Sequence, residues 1–225
     1  MMSEIETPEG ALKSFNWRKL VLQLAVGFSF GGLAGYGGAF LVDQVLVTGG
    51  LEAVPISAGI ALFVAVVYLL FGVFVLAGLV NPRLGAKVLN VEDADEIAEQ
   101  KSELVNSGLG MVLWGGALAA LALADPVGPL SALAALLLAA VGLLGGLWFG
   151  WRAYRGSDEL MLAVNLEAGA LTYALVLAVL GGWGMLAHLG YAAGPQPLDL
   201  LTVCYVLVLV ATYIAIGRRG MFTVR

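Results

Sequence analysis

The chain has 225 residues, of which 60% are hydrophobic and only 12% are charged, and its mean hydropathy is +0.94. A soluble globular domain is about half apolar and a quarter charged, so this composition excludes an ordinary soluble domain. The formal net charge of −5 gives no indication of a nucleic-acid partner.

The apolar residues form six blocks, each long enough to cross a bilayer as a helix of roughly 20 residues. Helices are expected because a segment in lipid must satisfy its own backbone hydrogen bonds. The short alternating strands of a membrane barrel are not seen in these blocks. The predicted fold is an all-α, polytopic transmembrane helical bundle over residues 18–217, with a leader over 1–17 and a tail over 218–225. The six spans are predicted at about 20–46, 56–80, 104–124, 130–151, 168–187 and 198–217.

The first block is longer than the apolar core of a signal peptide, which is about 7–15 residues. The leader before it is also net acidic until Arg18. We therefore expect an uncleaved first span.

Every Lys and Arg of the chain falls on one side of the six-span arrangement. They are Lys13, Arg18, Lys19, Arg83, Lys87, Lys101, Arg152, Arg155, Arg218, Arg219 and Arg225. The charged residues of the loops on the other side are all acidic, namely Asp43, Glu52, Asp125 and Asp199. Cytoplasmic loops of membrane proteins are enriched in Lys and Arg, so both termini are predicted to be cytoplasmic. The abundance of Ala, Gly, Leu and Val favours a bacterial inner membrane.

A weak internal similarity links the segments before spans three and five. Asp95-Glu96-Ile97 precedes span three and Asp158-Glu159-Leu160 precedes span five. Asp93 with Glu96 is typical of a capping box, and Ser157 is the expected N-cap of the later helix. The similarity predicts tandem two-helix repeats. The alternative is that acidic caps are simply common where membrane helices begin.

Small residues recur at four-residue spacing within three of the predicted spans. They are Gly27, Gly31 and Gly35 in span one, Gly142, Gly146 and Gly150 in span four, and Ala174, Ala178 and Gly182, preceded by Ala170, in span five. Such rows lie near one helix face and let helix backbones approach closely in lipid. We interpret them as helix-packing positions, either inside the bundle or at a subunit interface.

Residues typical of catalytic or metal-binding sites are scarce. Asp43, His188 and Asp199 belong to the outer edges of the spans, and Glu103 and Glu167 to the inner edges, so no ionisable group is predicted near the bilayer centre. The single His excludes two-His zinc and haem sites within the chain. Neither a Gly-x-Ser-x-Gly elbow nor a phosphate-binding loop occurs. We predict no catalytic, metal-binding or cofactor-binding residue and no enzymatic activity.

A few polar and aromatic side chains fall near the predicted cytoplasmic interface. Trp17, Trp148 and Trp151 are typical of an interfacial aromatic belt. Gln23, Asn106 and Ser107 could line a polar cytoplasmic vestibule or simply belong to helix ends.

The composition and spacing favour a non-catalytic accessory, assembly or scaffolding component that packs through small-residue helix faces. Its expected partners are membrane lipids and either other subunits or further copies of the chain, with no nucleic acid. The alternative is a small-solute or lipid transporter or channel, in which mildly polar positions would line a path. An intramembrane enzyme acting on a lipid is a third possibility.

Overall fold

The computed structural model describes residues 31–32, 35–37, 40, 54–80 and 100–220, and the elements assigned within the two long ranges are helices. These helices are α1 (Ile56–Val80), α2 (Lys101–Ala122), α3 (Ala132–Gly156), α4 (Glu159–Val176), a π-helical turn (Leu177–Gly181), α5 (Gly182–His188) and α6 (Pro197–Arg218). In the described residues, five helices are long and apolar enough to cross a membrane, counting Glu159–His188 as one. The chain is therefore a helical protein with membrane-protein character.

The helix ends depart from the predicted spans wherever polar residues flank an apolar block. α2 begins at Lys101 rather than 104, α3 continues to Gly156, and the run Glu159–His188 begins well before residue 168. Hydropathy marks only the part of a helix that matches the bilayer core, whereas backbone hydrogen bonding continues through the polar turns. The leader, most of the predicted span at 20–46, residues 81–99 and residues 221–225 lie outside the described residues.

The predicted N-cap at Ser157 is wrong by one residue. Asp158 caps α4, and its carboxylate accepts a hydrogen bond of 2.7 Å from the backbone N–H of Met161. Ser157 instead follows the end of α3, and its hydroxyl donates to the carbonyl of Ala153 at 3.0 Å. A carboxylate is favoured at this position because the N-terminus of a helix carries partial positive charge. The predicted capping box of Asp93 and Glu96 lies outside the described residues.

α2 lies between α1 and α3 and contacts both along glycine-lined faces. A Cβ atom placed on Gly72 of α1 would lie 2.8 Å from the carbonyl oxygen of Gly108, and one placed on Gly115 of α2 would lie 2.9 Å from that of Ala65. On the opposite side of α2, a Cβ atom on Gly142 of α3 would lie 2.6 Å from the carbonyl oxygen of Leu113. These backbones approach so closely because glycine has no side chain at the contact.

An aromatic cluster joins α6 to α1 and α2. The Tyr68 hydroxyl donates to the backbone carbonyl of Tyr205 at 2.9 Å, and the Tyr205 hydroxyl donates to the backbone carbonyl of Trp114 at 3.1 Å. The two tyrosine rings meet edge to face with their centroids 4.9 Å apart. Both hydroxyls thus find acceptors on a neighbouring helix inside an apolar core that includes Leu62 and Leu118.

We expect Tyr205→Phe to lower the free energy of unfolding by about 1 kcal/mol, because interhelical hydrogen bonds in membrane proteins contribute on the order of 0.6 to 1.7 kcal/mol. The ring packing is retained, so only the bond to the Trp114 carbonyl is lost. Unfolding in mixed micelles measures the change. Tyr173→Phe is the control, because Tyr173 is 69% exposed, and equal stability of the two variants would contradict the assigned bond.

Candidate functional site

The packed helices run antiparallel, α2 with α1 and α3, and α4 with α6. Their charged ends therefore collect on one side. α3 ends at Gly156, α4 begins at Glu159, and α6 ends at Arg218. The start of α2 lies beside the end of α3, because the Glu103 side chain contacts Gly156. We call this side the basic end, since it carries Arg152, Arg155, Arg218 and Arg219.

At the basic end, Glu167 of α4 pairs with the two arginines that close α6. One carboxylate oxygen lies 3.1 Å from Nη1 of Arg218, and the other lies 3.1 Å from Nη2 and Nε of Arg219. Arg219 also donates to the backbone carbonyl of Ala163 at 3.4 Å. The sequence placed Glu167 at the edge of a span without a partner. The tertiary structure gives it a role in joining α4 to α6.

A cavity of about 410 Å³ opens at the basic end between α2 and α3. We call it the interfacial pocket, and it is lined by Ser102 and Asn106 of α2 and by Trp148, Trp151, Arg152, Arg155 and Gly156 of α3. The guanidinium of Arg155 lies over the Trp151 ring, 5.9 Å from its centroid, which is a cation–π arrangement. The sequence marked Asn106 and the two tryptophans separately as interfacial residues. Only the antiparallel packing of α2 and α3 brings Asn106 next to the tryptophans and arginines of α3.

The interfacial pocket has an excess of positive charge. Among the described residues, the ion pairs are those of Glu167 with Arg218 and Arg219, so Arg152 and Arg155 have no carboxylate partner there. The Glu103 side chain contacts the lining at Gly156. It offsets part of the charge of the two arginines, and the pocket can accommodate an anion of low charge.

The helical run Glu159–His188 has a second notable surface. No residue of the most apolar 18-residue stretch of this run is buried. The buried residues of α4 are Val164 and Ala168, which pack against Ala215 of α6. Ala170, Ala174 and Ala178 are exposed, and no atom of the described residues lies within 4 Å of a Cβ atom placed on Gly182. We call these four positions the uncovered face. It continues through the π-helical turn, a local irregularity that often marks functional positions in helices.

The predicted packing residues therefore differ between the three spans. In span four, Gly142 and Gly146 lie against α2, and a Cβ atom on Gly110 of α2 would lie 3.7 Å from the backbone nitrogen of Gly150. In span five, Ala174, Ala178 and Gly182 belong to the uncovered face. In span one, no described atom lies within 4 Å of a Cβ atom placed on Gly31 or Gly35, and Gly27 lies outside the described residues.

Within residues 54–80, 100–220 and the few described before them, no group of three or more His, Cys, Asp or Glu side chains is placed to hold a metal ion. The Nε1 atom of Trp114 is buried and has no acceptor there. Comparison of the chain with protein-family models, with curated proteins and with solved structures gives no match.

Proposed function

We propose that the protein is a non-catalytic accessory component of a membrane assembly in the bacterial inner membrane, with both termini cytoplasmic. In this proposal, the uncovered face docks a transmembrane helix of another polypeptide. The observation that carries it is the exposure of Ala170, Ala174 and Ala178 in the small-residue row of span five, whereas the corresponding row of span four lies against α2.

Small residues at the uncovered face favour a helix as its occupant over lipid. Lipid chains adapt to any apolar surface, so alanine and glycine give no advantage in contact with them. A second helix, in contrast, gains van der Waals contact and backbone proximity from small residues. Gly181, Gly182 and Gly184 also follow one another closely, and glycine within a helix costs roughly 0.5–1 kcal/mol relative to alanine. Close packing of a partner would offset that cost.

The first predicted span is the competing occupant from the same chain. A Cβ atom placed on Gly37 would lie 3.5 Å from Cγ1 of Val66, which places this part of span one beside α1. α1 packs against α2 and α6, whereas Glu159–His188 packs against α6. This separation supports an occupant from outside the chain.

The alternative function, a transporter or channel, needs polar side chains that are free to line a path. Thr172, Thr202 and Thr212 each donate to the backbone carbonyl four residues earlier in their own helix, at 2.8, 2.9 and 2.8 Å. The Tyr68 and Tyr205 hydroxyls are also engaged with helix carbonyls. These hydrogen bonds favour the accessory role over transport through this chain.

Adding bulk to the uncovered face tests the proposal. We expect wild-type protein, extracted gently from its own membrane, to retain another polypeptide at fixed stoichiometry in native mass spectrometry. Ala174→Leu/Ala178→Leu should lose that polypeptide and keep its melting temperature, because both positions are exposed. Leu177→Ile/Met185→Leu is the matched control, since it changes exposed side chains of the same run without adding bulk.

Disulfide crosslinking identifies what lies on the uncovered face. Ala178→Cys is introduced with Cys204→Ser, which removes the natural cysteine of the chain. A crosslink to a different polypeptide supports the proposal. A crosslink to a second copy would replace it with a homo-oligomer, and a crosslink to a cysteine introduced at position 31 or 35 of the same molecule would refute external docking.

A further inference from the structure

We infer that the interfacial pocket binds the phosphodiester group of an anionic phospholipid headgroup. The inference concerns a different surface from the uncovered face, and it stands whether or not a partner helix docks there. It rests on the position of the pocket, its unpaired donors, its net charge and the apolar surface next to it.

The donors of the pocket converge from two helices. Arg152 and Arg155 have no ion-pair partner in the described part of the chain, and a guanidinium presents paired N–H groups that match phosphate oxygens. Asn106 is 8% exposed and lines the cavity. Its side-chain amide N–H groups can donate to an acceptor oxygen of a ligand there. Ser102 adds a hydroxyl donor.

The charge balance restricts the ligand class. The two arginines contribute two positive charges and Glu103, in contact with Gly156, contributes one negative charge. The two guanidinium groups of the lining suit a phosphodiester, which carries a single negative charge, whereas the amine of a zwitterionic headgroup would bring its own positive charge near the arginines.

The surroundings favour a lipid over a soluble phosphate. Trp148 and Trp151 are 61% and 57% exposed at the rim, where indole rings are typical of the bilayer interface. Along α3 from the pocket towards the middle of the helix, Val141, Leu144 and Leu147 are also exposed. A headgroup held in the pocket would therefore place its acyl chains along an apolar helix surface.

Native mass spectrometry of the full chain in nanodiscs tests the inference. The discs contain equal amounts of phosphatidylglycerol, phosphatidylethanolamine and phosphatidylcholine. We expect retained phosphatidylglycerol to exceed either zwitterionic lipid, and Arg152→Gln/Arg155→Gln to reduce its apparent affinity by about tenfold or more, since each basic residue near anionic lipid contributes about 1 kcal/mol. Arg218→Gln/Arg219→Gln is the matched control. It removes the same charge at the same end, from arginines that already pair with Glu167, and should leave retention within about twofold.

Two further measurements separate the sources of the phosphate. Glycerophosphate and inorganic phosphate, added to the detergent-solubilised protein, should displace phosphatidylglycerol only weakly. Equal binding of the free anions would reassign the pocket to a soluble phosphate compound. Arg152→Lys/Arg155→Lys keeps the charge without the paired donors, so we expect a loss of phosphatidylglycerol retention between that of the wild type and that of the Gln variant. This variant also serves as a check that the loss in the Gln variant is not caused by misfolding. Equal retention of the three lipids, or an equal loss in the Arg218/Arg219 control, would overturn the inference.

Discussion

Gly142→Ala is expected to destabilise the bundle by about 1–3 kcal/mol, the range for inserting atoms into a well-packed interior. The added Cβ would lie 2.6 Å from the carbonyl oxygen of Leu113 and 2.8 Å from Cβ of Ala117. The first contact involves backbone, so α2 and α3 must separate to relieve it. Unfolding in mixed micelles and the yield of extracted protein would both report the loss.

Gly150→Ala is the matched control for Gly142→Ala. It makes the same chemical change two four-residue steps further along the same helix row, where no described atom lies within 4 Å of the new Cβ. Alanine also has a higher helix propensity than glycine, so this variant should be neutral or slightly more stable. An equal loss at both positions would mean that α2 does not pack on this row as described.

Leu118→Ala is expected to lower the free energy of unfolding by about 2–4 kcal/mol, because it removes van der Waals contacts and leaves a cavity in the interior. Leu118 is 0% exposed and belongs to the core shared by α1, α2 and α6. Leu144→Ala removes the same atoms from α3 at a position that is 68% exposed, where lipid can fill the space. Stability that falls as much for Leu144→Ala as for Leu118→Ala would place Leu144 in a protein interface.

These two predictions concern the packed interface of α2 with its neighbouring helices, and the proposed binding surfaces lie elsewhere. Leu118 and Gly142 belong to the contacts that α2 makes with α1, α6 and α3. The uncovered face is on span five and the interfacial pocket is at the basic end. Variants at the two surfaces should therefore change binding without large changes in stability, which makes loss of binding interpretable.

The helical class of the protein and the place of several helices follow from the amino-acid sequence. α1 covers Ile56–Val80, the same residues as the predicted second span, because both of its ends coincide with the ends of the apolar block. The apolar blocks and the shortage of charge require membrane-length helices, since backbone groups in lipid must bond within their own segment. The presence of a single His also follows from the residue count alone. The prediction of both termini in the cytoplasm rests on the distribution of Lys and Arg.

The faces through which these helices contact one another could not be predicted without the three-dimensional packing. The predicted rows at Gly142 and Ala174 have the same spacing, yet one lies against α2 and the other is exposed. Likewise, Glu167 forms ion pairs with Arg218 and Arg219, and Asn106 lines the same cavity as Arg152. In both cases the residues are far apart in the chain. The physical reason is that lipid is as apolar as a protein interior, so a spanning helix is apolar on both its lipid-facing and protein-facing sides. Hydropathy therefore identifies the helix, and only packing identifies its neighbours.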